Sequence, residues 1–158
     1  MTVQKITPFL WFDNQAEEAA HFYTSIFRNS KMGDISRYPE GSPGPAGSVM
    51  TVSFQLEGQE FIALNGGPIF TFTPAISFSV SCETQEEVDD LWEKLTAGGK
   101  ESQCAWLMDK FGLSWQIVPA ILPELLQDRD KAKTRRVMQA MLRMNKIDIQ
   151  ALKDAAGQ

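Results

Sequence analysis

At 158 residues, with 43% hydrophobic and 22% charged side chains, the chain is long enough to bury a core and lacks the composition of a disordered segment. Fifteen basic against twenty acidic residues leave a formal net charge of -5, which argues against non-specific binding to nucleic acid or to an anionic membrane. No run approaches the roughly 20 apolar residues of a spanning helix, Met1 to Phe12 has no apolar core of a secretory leader, and Cys82 and Cys104 lack a CxxC-like spacing, so the expectation is a cytoplasmic protein with two reduced thiols.

Ile6 to Phe12 reads as a strand, apolar on both parities from Phe9 onward, which predicts cover on both faces. Asp13 or Asn14 is placed to cap a helix running to about Phe27, with Glu17 or Glu18 supporting its free amides. Met32 to Tyr38 is a short strand candidate. Tyr38 to Gly47 carries three prolines and three glycines, and reads as a mobile surface loop. Val49 to Leu56 alternates cleanly, with Met50, Val52, Phe54 and Leu56 on one face, the pattern of a half-buried strand. Glu57-Gly58-Gln59 turns it back into Phe61 to Asn65, and Gly66-Gly67-Pro68 closes this part of the chain.

The second part opens with Ile76, Phe78, Val80 and Cys82 alternating with Ala75, Ser77, Ser79 and Ser81. The apolar parity is expected to pack on the following helix, Thr84 to about Ala97, and the serine parity to face water or a cavity. Thr84 with Glu87 has capping-box spacing, and Gly98-Gly99 is a helix stop. Ala105 to Met108 and Leu113 to Val118 flank the turn sequence Asp109-Lys110-Phe111-Gly112, which predicts a hairpin. After Pro119 the chain turns helical: Leu122 to Gln127 is one short helix, and Asp130 to Met144 a longer one with Val137, Met138, Met141, Leu142 and Met144 on an apolar side. Lys131, Lys133, Arg135 and Arg136 form the one basic cluster and read as a solvated helix face.

The two parts repeat each other. Gln15-Ala16-Glu17-Glu18-Ala19 aligns with Thr84-Gln85-Glu86-Glu87-Val88, Phe22-Tyr23 with Leu91-Trp92, and Ile26 with Leu95. The repeated unit is a strand, a helix and further strands, which implies a pseudo-symmetric pocket.

The segment Ile6-Thr7-Pro8-Phe9-Leu10-Trp11-Phe12-Asp13, the Phe22-Tyr23 pair, Leu64-Asn65-Gly66-Gly67-Pro68 and the Asp109-Lys110-Phe111-Gly112-Leu113-Ser114-Trp115-Gln116 run resemble the vicinal-oxygen-chelate superfamily of glyoxalases, extradiol dioxygenases and bleomycin-resistance proteins. Within it the chain is similar to the PhnB-like branch, labelled 3-demethylubiquinone 3-methyltransferase, over residues 3 to 119. The resemblance implies an α+β fold of two βαβββ modules, here 1–70 and 71–119, whose curved mixed sheets make a cup, followed by a helical tail at 120–158. It also implies a homodimer, and a divalent metal held by His, Gln or Glu from the first and last strand of each module. Those places fall on Thr7 or Pro8, on or beside Ala63, within Ala75 to Ser79, and on Gln116. Only Gln116 has a ligand-capable side chain, so no metal and no other cofactor is expected. His21, the sole histidine, lies in the first helix and reads as an ordinary surface or packing residue.

A metal-free cup for a small apolar or aromatic ligand is therefore the expected site, lined by Thr7, Phe9, Trp11, Asn65, Phe70, Phe72, Ser77, Ser79, Trp106 and Gln116. Asn65 and Gln116 are the foremost candidates, because buried amides need partners. The alternatives are a protein-interaction or regulatory role, a metal-dependent lyase or dioxygenase drawing on Glu60 or a partner chain, and literal methyl transfer. The last is disfavoured because the chain has no GxGxG or GxGxxG loop for an adenosyl-type donor.

Overall fold

In the computed structural model, residues 4–157 are described. Met1 to Val3, part of the amino-terminal stretch read above for a leader, and Gln158, the last residue of the tail, lie outside the described residues. The chain divides into two compact units, Met1–Thr71 and Phe72–Gln158.

The first unit runs β1 (Phe9–Phe12), α1 (Ala16–Ile26), β2 (Ser30–Arg37), β3 (Val49–Leu56) and β4 (Gln59–Asn65). Its sheet order is β1-β4-β3-β2, with β1 parallel to β4 and the other pairs antiparallel, which is the βαβββ unit. Glu57 and Gly58 both have positive φ, 48° and 81°, the geometry of a two-residue hairpin turn that matches strand twist. Leu10, Phe12, Val52, Phe54, Leu56, Phe61 and Ala63 are buried on the sheet's helix side, with Ala16, Ala19, Ala20, Tyr23 and Ile26 of α1. Small residues at three of these helix positions let α1 lie close to the strands. Tyr23, Phe54 and Phe61 stack in series, with ring centroids 6.1 and 5.5 Å apart.

Two expectations for this unit are corrected. The first strand is shorter than Ile6 to Phe12 and is not covered on both faces: Ile6 is 83% and Phe9 57% exposed. Neither Asp13 nor Asn14 caps α1; the N-cap position is Gln15, which makes no side-chain cap bond. The cap comes instead from β4, where Asn65 Oδ1 accepts from Ala16 N at 2.8 Å. The glycine- and proline-rich loop is pinned at its base, with Tyr38 N donating to Ser48 O and Gly47 N to Tyr38 O.

The second unit runs β5 (Ser77–Cys82), α2 (Gln85–Thr96), β6 (Lys100–Glu101), β7 (Trp106–Met108), β8 (Ser114–Pro119), α3 (Ile121–Leu126), α4 (Lys131–Met141) and α5 (Ile149–Ala156). Its sheet repeats the first, in the order β5-β8-β7-β6 with β5 and β8 parallel. The repeat alignment holds at the residue level, since α1 and α2 begin at the equated positions Ala16 and Gln85. Thr84 Oγ1 accepts from Glu87 N at 3.2 Å, while the Glu87 carboxylate reaches back one residue further, to Glu83 N. The two-residue β6 was not foreseen, because a pair of charged residues after Gly98-Gly99 carries no periodicity.

The helices after Pro119 are part of this unit's core. Ala105, Leu122, Leu125, Val137, Ile147, Leu152 and Ala156 are buried in one cluster. The longer helix ends at Met141, and α5, capped by Asp148, follows as a separate element. Met138 and Leu142 are exposed, at 39% and 56%, so the methionine-rich side is only partly covered. No helix among the described residues is long and apolar enough to cross a membrane.

Candidate functional site

Each sheet has one face packed by α1 or α2, and strand register decides which side chains share the opposite face, helix-free in that neither packs there, although in the second unit Val118, at the end of β8, meets the core of the terminal helices. In the first unit Phe9 pairs with Ile62, and Trp11 with Leu64 and so with Thr51. These residues alternate with the buried Leu10, Phe12, Ala63 and Val52, so they stand on the helix-free side. Trp11 is held there firmly: its Nε1 donates to Gly67 O at 2.9 Å, and Phe70 meets it edge-on at 5.0 Å between centroids. Gly66 packs under the Trp11 ring, where a Cβ would sit 2.4 Å from ring carbons. The Gly66-Gly67 pair thus serves the indole. Thr7 precedes β1, half-buried, and Thr7 Oγ1 accepts from Gln4 Nε2 at 3.3 Å.

Asn65 does not join that group. Its parity on β4 is that of Phe61 and Ala63, on the helix side, and its amide is engaged within the unit. Besides capping α1 it donates from Nδ2 to Val49 O at 3.2 Å. The signal that an asparagine ending one strand caps a helix some fifty residues earlier is a tertiary one.

In the second unit the helix-free face holds Ser77, Ser79, Trp106, Met108, Ser114 and Gln116. Ser79, Gln116 and Trp106 pair directly across three strands, and Ser77, Ser114 and Met108 form the next row. Gln116 Nε2 donates to Ser77 Oγ at 2.9 Å, which orients the amide and leaves its carbonyl oxygen as the acceptor on that face. Ser114 was not foreseen, and it is 2% exposed. Phe72 stands at the start of this unit, ahead of the sheet, and is half-buried. The predicted residues therefore form two groups, Phe9, Trp11 and Phe70 in one unit and Ser77, Ser79, Trp106 and Gln116 in the other.

The Asp-Lys-Phe-Gly-x-x-Trp-Gln run has a structural logic of its own. Asp109 is 2% exposed; its Oδ1 accepts from Phe111 N at 2.8 Å and Leu113 N at 3.1 Å, and its Oδ2 from Trp115 Nε1 at 2.9 Å. Gly112 supplies the positive φ of 89° that the turn needs. One carboxylate thereby sets the β7–β8 hairpin and the Trp115 rotamer. That places Gln116, the next residue, on the opposite face beside Ser77 and Ser79.

The donor set of neither face suits a divalent metal. The first unit contributes one carboxylate, Glu60, on the parity of Ile62 and Leu64, and beside it the Gln55 amide; the second contributes one amide, already bonded to a serine, so neither set reaches the three or more strong donors a divalent ion needs. Among the described residues no three His, Cys, Asp or Glu side chains are grouped so that they could hold a metal ion. Cys82 is also unsuited to nucleophilic work, its thiol being pushed up to about 12 by burial, with the Glu87 and Glu83 charges adding. His21 is exposed on α1.

A family profile described as 3-demethylubiquinone-9 3-methyltransferase matches residues 4–118. Among solved structures, a Bacillus cereus PhnB protein described as a putative 3-demethylubiquinone-9 3-methyltransferase is 45% identical, with a TM-score of 0.67 over 74% of this chain and 100% of that one. Protein PA1353 from Pseudomonas aeruginosa is 20% identical with a TM-score of 0.61, covering 74% and 98% of the two chains. The fosfomycin resistance protein FosX from Listeria monocytogenes is 17% identical with a TM-score of 0.57, covering 81% and 100%. The last two show the fold alone. No curated protein matches. The repeated βαβββ units and the 45% identity to the Bacillus PhnB protein agree with the profile match: the chain belongs to the 3-demethylubiquinone-9 3-methyltransferase family.

Proposed function

We propose that this glyoxalase/bleomycin-resistance-like protein is a metal-free, cytoplasmic small-molecule binding protein acting as a homodimer. The observation that carries the reading is the Ser79–Gln116–Trp106 row with Ser77 beside it: an oriented amide, hydroxyls and an indole on one sheet face. A few fixed polar groups next to aromatic surface suit a planar ligand with one or two hydrogen-bonding atoms. Phe9, Trp11 and Phe70 extend the same chemistry in the first unit. Exposure of Ile6, Phe9, Ile69 and Phe70 supports a partner subunit, since such apolar surface favours burial. The free thiols of Cys82 and Cys104 support a reducing compartment.

Methyl transfer, which the family description names, finds little support in the fold. Adenosyl-type donors sit at a glycine-rich strand-to-helix turn of a doubly wound parallel sheet. Here β1 passes to α1 through Asp13-Asn14-Gln15 and β5 to α2 through Glu83-Thr84, neither containing glycine, and each sheet has one parallel pair. Binding of a panel of planar heteroaromatic compounds, followed by tryptophan fluorescence, tests the proposal. Gln116→Ala and Trp106→Leu are each expected to weaken a hit about tenfold, the loss of one hydrogen bond or aromatic contact. Unchanged affinity in both variants would sink it. Native mass spectrometry is expected to give a dimer without stoichiometric metal; one metal per chain would restore lyase or dioxygenase chemistry.

A further inference from the structure

We propose that the ligand held on the helix-free face of the second unit is a planar organic anion, its acidic group paired with Lys100; the inference rests on the reading of that face as a small-molecule site. Lys100 pairs with Met108 across β6 and β7, and residues directly opposite in an antiparallel pair point to one face. The neighbouring Glu101 fixes the parity independently. It pairs with the buried Leu107, and its Oε1 accepts from Nε1 of Trp92, on α2, at 2.6 Å. Glu101 thus points to the helix side, and Lys100 to the side of Trp106, Met108, Ser114 and Gln116. The row Ser77–Ser114–Met108–Lys100 crosses all four strands of this sheet.

The charges and donors of the face favour an anion. Among the described strand residues of this parity, Lys100 is the one charged side chain, and none is Asp or Glu. Lys100 is exposed, and among the described residues its ammonium makes no hydrogen bond or ion pair, whereas Lys94, Lys133 and Lys146 are each paired with an aspartate. The tryptophans show the same contrast. Trp11, Trp92 and Trp115 donate their indole N–H to Gly67 O, Glu101 Oε1 and Asp109 Oδ2, while the half-buried Trp106 donates to nothing among the described residues. Trp106 and Lys100 stand diagonally across β7 and β6, roughly 7–8 Å apart at Cα, within reach of two long side chains. Both donate and neither accepts, so an acidic oxygen satisfies the two together and a cation satisfies neither. Ser114, beside Met108, is 2% exposed, and its hydroxyl has no partner among the described residues, a condition that a ligand or water relieves. The Gln116 carbonyl oxygen, one strand beyond Trp106, suits a neutral N–H or O–H on the ring, not the acid itself. The net charge of -5 opposes an anion at long range, but with a screening length of about 8 Å at physiological salt the local lysine decides.

The probes are 2-naphthoate, 2-naphthamide and 2-naphthylmethylamine, one ring bearing an anionic, a neutral or a cationic group. Each is titrated into the full chain at neutral pH and followed by the NMR signals of the Trp106 indole and the Gln116 side-chain amide. The naphthoate is expected to bind about two- to fivefold more tightly than the naphthamide, the size of an exposed ion pair, with the advantage shrinking as salt is raised. In Lys100→Met, which keeps an unbranched apolar stem, that ratio is expected to fall to about one, and in Lys100→Arg to stay near its native value. Unchanged backbone amide signals away from β6 and β7 establish that the variants are folded. Equal binding of naphthoate and naphthamide to the native protein, a preference for the amine, or an undiminished ratio in folded Lys100→Met would each overturn the anion and leave the face standing as a site for planar ligands. No shift at Trp106 or Gln116 with any probe would overturn the small-molecule reading of the face, and the anion with it.

Discussion

Asp109 shows how one side chain carries a motif. Its two oxygens accept from two backbone amides and an indole, all inside a hairpin with little access to water. Asp109→Asn keeps one acceptor but presents an N–H to the Trp115 indole N–H, and is expected to cost about 1–3 kcal/mol of unfolding free energy by urea titration. Asp109→Ala strands all three donors and is expected to cost more than the asparagine variant. A second residue-scale prediction concerns Cys82. Its folded-state pKa is raised, chiefly by burial, so the stability from holding the neutral thiol is complete below the ordinary value of 9.0 and is lost as pH rises from there through about 12. The urea midpoint of the native protein is expected to fall more steeply above pH 9 than that of Cys82→Ala. Thiol reagents are expected to modify the half-buried Cys104 in the native state well before Cys82.

At the scale of elements, the two repeats solve one problem in different ways. Thr84 caps α2 locally, whereas α1 borrows Asn65 from the end of β4. Thr84→Ala is expected to cost about 1 kcal/mol. Asn65→Ala is expected to cost about 2 kcal/mol, because it removes the cap and the bond to Val49 O together. A loss at Asn65 no larger than at Thr84 would show the cross-sheet bonds to be dispensable. The turn before α4 is set by Asp128, whose carboxyl is held below the usual carboxylate range by Lys133 first and the Asp130 amide second. Asp89 is lowered likewise, by Gln85 and then Lys146. For both, the stabilising contribution is present above the ordinary carboxylate pKa and lost as pH falls through the depressed value. The Lys146–Asp89 pair is exposed and the Lys133–Asp128 pair only half-buried, so the expected effect is a small acid-side decline that Lys133→Ala reduces.

At the scale of the molecule, the terminal helices complete a core. Gln85, at the start of α2, donates to Ile147 O and accepts from Ile149 N, at 2.9 and 2.8 Å. Cys104 N and Ala105 N donate to Met144 O and Asn145 O. Ending the chain after Pro119 is therefore expected to leave the second unit unfolded or aggregating, measured by circular dichroism and gel filtration, because Ala105 loses the apolar partners that bury it. Retained native ellipticity in the shortened chain would refute that role. Most of the fold was legible beforehand because it rests on short-range physics: the period-two alternation of Val49 to Leu56, the Thr84 cap, the Asp109 turn and the duplicated helix starts are all written within a few neighbouring residues. What needed tertiary structure was set by contacts distant in sequence. The two-residue β6 exists only because β7 offers it a partner, Asn65 turns to the helix side because Ala16 needs an acceptor, and Lys100 joins the face of Trp106 and Met108 only through the pairing of β6 with β7. Local sequence determines which elements form; long-range hydrogen bonds and packing decide which side chains meet, and so where a ligand finds its partners.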